Sequence, residues 1–132
     1  MKAITYRVFA RLPRVATVGA ALAFLASCGS NTISFSGDVQ PILQANCLSC
    51  HQPGGSGFEA SGFSMASYDA LMKGTQFGPM VIPGDSAASN IIVLMEGRAD
   101  PSISMPHGSN KHVSQADIET IRVWIDQGAR NN

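Results

Sequence analysis

Cysteine is scarce in this chain: three among 132 residues, at positions 28, 47 and 50. That is too few for a disulfide-stapled scaffold. It also excludes a closed structural zinc site built on two cysteine pairs, because no second pair exists to complete four ligands. Charge is sparse as well, at 14% of residues, and the cations of the body of the chain form no basic patch. Nothing there would neutralise phosphates, so nucleic acid is not an expected partner. Long apolar runs are missing too. The longest, Val15 to Ala26, is twelve residues interrupted by Thr17, short of the roughly 20 needed to span a bilayer. No internal repeat and no strand-like alternation competes with the helical patterns described below.

What is present begins with an address. Lys2, Arg7, Arg11 and Arg14 precede the Val15–Ala26 run, the basic and apolar regions of an export signal expected over residues 1–27. The run ends in Leu25-Ala26-Ser27-Cys28-Gly29, similar to the lipobox of bacterial lipoproteins, whose cysteine becomes the lipidated first residue of the mature protein. An ordinary signal cleaved nearby would leave Cys28 a stray thiol. Lipidation explains the odd cysteine and supplies membrane affinity without a transmembrane helix. Gly29 rather than Asp after it leans, by resemblance to Gram-negative sorting, towards the outer membrane. The expected location is therefore the cell envelope, lipid-anchored and facing the periplasm. From Cys28 onward five cations face all nine acids of the chain, so a partner docking by charge would present a basic face.

Residues 28–34 read as a tether and 35–132 as a single domain, which at this length needs every apolar contact it can make. Ser36, Gly37 and Asp38 are N-cap candidates for a helix from Val39 to Asn46, with Pro41 in its first turn. Gln52 to Gly62, with Pro53 and four glycines, reads as loop. Ser67 caps a short helix, Tyr68 to Lys73, closed by Gly74. Gly78 to Gly84 is irregular. Asp85 or Ser86 opens a helix from Ala87 to Glu96, whose run Ile91-Ile92-Val93-Leu94-Met95 implies burial nearly all round. A second loop covers Arg98 to Lys111. The last helix is the best specified: Ser114 and Asp117 have capping-box spacing, Val113 and Ile118 can staple it, and Ile118, Ile121, Trp124 and Ile125 form its apolar stripe up to Gly128.

The chemistry lies between the first two segments, in Cys47-Leu48-Ser49-Cys50-His51. Two thiols three residues apart followed by an imidazole form the c-type haem attachment signature. Each cysteine can add across one haem vinyl group to give a thioether, and the next residue then lies under the iron as its axial histidine. The other readings of the pair are a redox-active dithiol and half of a zinc site. For the second axial position Met105 is the favoured candidate. Its thioether is a soft ligand that raises the reduction potential, and it lies in an irregular loop far along the chain. Pro106 restricts it to extended backbone. Met72 and Met95 read as packing residues, and Met65 and Met80 as weaker candidates. His107 and His112 are the chemical rivals, bis-histidine ligation being common.

Phe35-Ser36-Gly37-Asp38-Val39-Gln40-Pro41-Ile42-Leu43 leading into Cys47–His51 resembles the start of a planctomycete-type cytochrome c domain. Ser67 to Gly74, Val81-Ile82-Pro83-Gly84-Asp85, Met105-Pro106 and Trp124-Ile125-Asp126-Gln127-Gly128-Ala129 continue the likeness in order. The resemblance implies an all-α fold, a compact class I-like cytochrome c of about four helices around one covalent haem c. It implies attachment at Cys47 and Cys50, ligation by His51 and Met105, and a Pro53 carbonyl near the histidine ring. Members often carry a second proline after Met-Pro, where this chain has His107.

The function this implies is that of a mono-haem electron carrier rather than an enzyme. It would work by outer-sphere transfer between redox protein partners, among them a membrane oxidoreductase of which it could be a subunit. Two rivals remain: a haem gas sensor or catalytic haem with a displaceable distal ligand, and a thiol–disulfide oxidoreductase using Cys47 and Cys50. The latter motif usually opens a helix in a βαβ context, whereas this one follows a helix.

Overall fold

The computed structural model describes residues 31–107 and 112–132. The expected export signal and Cys28 lie outside the described residues. Among the described residues there are five α-helices and no β-strand, only an isolated bridge between Thr75 and Gly78. The helices are α1 (Gln40–Asn46), α2 (Ser56–Ser61), α3 (Tyr68–Lys73), α4 (Asn90–Met95) and α5 (Gln115–Asp126). The fold is all-α. Among the described residues, no helix is long and apolar enough to cross a membrane.

The chain enters α1 through a π-helical turn, Phe35–Val39, an earlier start than the cap candidates suggest. Ser34 is the cap: its Oγ accepts from the Gly37 N–H, and the Asp38 carboxylate accepts from the Ser34 N–H at 2.7 Å. Two donors at the start of the turn are thereby satisfied. This entry is tied to the other end of the chain. Ile33 N–H donates to the Gln127 side chain, and Ser34 and Ser36 both donate to the Asn132 carbonyl.

α5 organises the core. Ser114 Oγ accepts from Asp117 N–H at 3.1 Å, and Val113 and Ile118 are both buried, as a staple requires. Ile118, Ile121, Trp124 and Ile125 form one buried face against the N-terminal turn and α4. Phe35 stands 5.2 Å from Tyr68 and 5.5 Å from Trp124, ring centre to ring centre. The polar ends of both larger rings are paired, Tyr68 Oη to the Ala129 carbonyl and Trp124 Nε1 to that of Arg130. Such pairing is what allows these side chains to be buried.

α3 has the predicted bounds, capped by Ser67 Oγ on Ala70 N–H. Gly74 ends it at φ +77°, and a side chain there would meet the Gly78 carbonyl at 2.5 Å. Three details depart from expectation. The Gln52–Gly62 segment contains α2. α4 begins only at Asn90, because Asp85 and Ser86 spend their side chains elsewhere: Asp85 closes a turn on Ala88 N–H, and Ser86 bonds to Asp126 on α5. In α4 only Ile91 and Ile92 are buried, whereas Val93, Leu94 and Met95 are partly exposed.

Candidate haem site

α1 delivers the chain into the Cys47–His51 segment as a tight turn. Cys47 N–H still bonds back to Leu43 O, and the Cys47 carbonyl then accepts from both Cys50 and His51 N–H, at 3.1 and 3.0 Å. One carbonyl thus gathers both thiols and the imidazole onto a single turn. Both cysteines are free thiols, Cys50 exposed and Cys47 at the edge of the core. Burial, and secondarily the neighbouring Cys50, push the Cys47 thiol up to about 11.

His51 is buried at 8% exposure. Burial pushes its pKa below the ordinary 6.5, against an opposing contribution from the Phe63 carbonyl, so the ring is neutral at neutral pH. Nδ1 lies 3.3 Å from that carbonyl. A carbonyl only accepts, so Nδ1 carries the proton and the Nε2 lone pair is the one free to bind a metal. The carbonyl expected there was that of Pro53; it is Phe63 that bonds the ring. The Phe63 side chain also stands edge-on to the imidazole, with centroids 5.4 Å apart.

α2 packs behind this turn. Phe58 N–H donates to Cys50 O, and Met65 N–H, just beyond α2, donates to His51 O at 2.7 Å. Two glycines permit the approach. A Cβ at Gly55 would lie 2.4 Å from Cys50 O, and one at Gly57 would lie 2.7–3.0 Å from three atoms of the His51 ring.

Met105 is half-buried, and its N–H donates to Leu94 O at 3.1 Å, which ties the loop after Arg98 to the end of α4. A 3₁₀ turn at Pro101–Ile103 leads into it, capped by the Asp100 carboxylate on Ser102. His107 and His112 are exposed. Met65 and Met80 are buried core residues, and Met72 and Met95 pack partly buried against that core.

The partly exposed face of α4 borders an open, mainly apolar cleft of about 430 Å3, lined by Phe77, Met80, Ile82, Val93, Leu94 and Ile103 among others. Its size falls within the range of small-molecule and cofactor sites. The cysteines, His51 and Met105 are not among its lining residues, although Leu94 joins Met105 to it.

The donor set fits a c-type haem. Two free thiols and a neutral imidazole share one turn, and the nitrogen left free is held by a bond on the other side of the ring. These three side chains are legible in the motif; their supports, Phe63 O, Gly55 and Gly57, are not. A backbone carbonyl leaves no mark in a sequence, and the glycines read as loop formers.

Residues 47–109 match the family described as planctomycete cytochrome C. No curated protein and no solved structure matches the chain.

Proposed function

This chain carries a planctomycete-type cytochrome c domain, and from that premise we propose that it is a mono-haem electron carrier held at a membrane by lipid on Cys28. The domain makes the protein a c-type cytochrome. The observation that carries the finer reading is the state of His51: buried, neutral, with Nδ1 engaged and Nε2 free. Cys47 and Cys50 would hold a haem by thioether bonds, with His51 and Met105 as axial ligands. When bound, such a haem supplies a one-electron couple.

The chain's own residues do the rest. Phe63 O fixes the tautomer of His51 and raises its basicity as a ligand. The burial of His51 limits solvent access to that side of the site, and burial is one of the levers that set a haem's reduction potential. Met105 is favoured over His107 and His112 because it is the half-buried one of the three, and its backbone is bonded to α4. Redox proteins are the partners in this reading, a membrane oxidoreductase among them. The location is the periplasmic face of an envelope membrane, with Gly29 pointing to the outer one.

Two observations weigh against a dithiol oxidoreductase. The CxxC follows α1 instead of opening a helix, and Cys47 is pushed up to about 11. Reactive CxxC thiols have lowered values.

The test is spectroscopic. Oxidised wild-type holoprotein is expected to show a methionine–iron charge-transfer band that Met105→Ala abolishes, while the reduced wild type resists CO. Ready CO binding by the unaltered reduced protein would favour a sensor or catalytic haem instead.

A further inference from the structure

We propose that Gly57 is a positioning residue for the axial histidine, its bare Cα forming the plate against which the His51 ring is set. The inference rests on the reading of His51 as the iron ligand. A Cβ at position 57 would lie 2.7 Å from Cε1, 3.0 Å from Nδ1 and 3.0 Å from Nε2 of that ring. Near-equal approach to three atoms places position 57 over the face of the imidazole rather than at its edge. The contact is therefore one that governs rotation of the ring.

The glycine has no conformational reason to be there. Gly57 lies inside α2 and is not among the glycines with positive φ. Glycine is a poorer helix former than alanine. What the missing side chain leaves is space, and the imidazole occupies it. The ring is then held on three sides: Gly57 on a face, Phe63 O at Nδ1, and the Phe63 ring edge-on at 5.4 Å. α2 is itself braced against the attachment turn, through Phe58 N–H on Cys50 O and the close approach of Gly55. A side chain at 57 must displace either the ring or the helix, and displacing the helix breaks these contacts. Rotation of the ring turns Nδ1 away from Phe63 O and re-aims Nε2.

The experiment compares holoproteins carrying attached haem. Gly57→Ala is expected to alter the g-tensor of the ferric protein, which reports the plane of an axial imidazole, and to move the reduction potential beyond replicate error. Gly37→Ala is the control, since a Cβ there makes only ordinary contacts with Ser34, and both readouts should match the wild type. Wild-type values in Gly57→Ala would overturn the proposal. A second measurement needs no variant: in reduced wild-type holoprotein, nuclear Overhauser contacts should join the Gly57 Hα protons to the His51 ring protons. Their absence would overturn the proposal even if Gly57→Ala yields no holoprotein. The same spectrum separates the two levels of the argument, because His51 ring protons without the large haem-induced shifts of an axial ligand would sink the ligand assignment itself.

Discussion

Of the residues around the haem turn, His51 shows most clearly how sequence and fold divide the work. The motif supplies its imidazole, and the fold decides which nitrogen is free, by bringing Phe63 O twelve positions further along the chain to Nδ1. No spacing rule marks that carbonyl, and the family resemblance points to Pro53 instead. Met105 was legible as a candidate, and the fold adds the bond to Leu94 and the capped turn before it. That cap carries a pH dependence. Hydrogen bonds from Ser102 hold the Asp100 carboxyl below its ordinary 3.8. A lowered carboxylate pKa adds stability that is complete above the ordinary value and lost as pH falls through the folded one. Acidification below 3.8 should therefore loosen the Met105 loop. The methionine–iron band should fade in that range, and in Asp100→Ala it should be weaker already at neutral pH. A band with the same acid profile in both proteins would separate the cap from the ligand loop.

The helices divide by the kind of signal that specifies them. α3 and α5 have their predicted caps because a serine and a closing glycine frame each, and in α5 an apolar stripe agrees with them. α2 was hidden by its glycines, which suit a loop by propensity and here serve close approach to the haem turn. α4 was overextended because Asp85 and Ser86 resemble caps while bonding instead to a local turn and to Asp126. Its apolar run implies burial nearly all round, yet Val93 and Leu94 border the cleft. A run apolar all round can thus border an open cleft as well as fill a core. The stability of α5 should follow its two kinds of contact. Ile121, fully buried, should cost about 2–5 kcal/mol as Ile121→Ala. Loss of the exposed Ser114 cap in Ser114→Ala should cost about 1 kcal/mol. Denaturant midpoints of the two variants would check the order, and a larger loss in Ser114→Ala would contradict the assigned core.

At the scale of the whole molecule, the two ends of the domain are joined. Ile33 and Ser34 bond to Gln127 and Asn132, so a chain entering from Cys28 meets the folded body almost at once. With lipid on Cys28, the terminal face would lie close to the membrane, since each extended residue spans at most about 3.6 Å. Cys28→Ser should then release the protein from the membrane fraction with its absorption spectrum intact. Retention of the variant on membranes would instead favour an uncleaved anchor. The all-α class and the Cys47–His51 turn were both legible in the sequence because they rest on local patterns. The tie between the chain ends was not, because it joins residues almost a hundred positions apart.

The claim that all of this depends on is the covalent bond between Cys47, Cys50 and a haem. Denaturing electrophoresis of protein made with the haem maturation machinery tests it directly, with peroxidase staining to locate haem. Stain should migrate with the wild-type polypeptide and vanish from it in a Cys47→Ala/Cys50→Ala variant. A colourless wild-type protein, or haem that leaves the polypeptide on denaturation, would contradict the account.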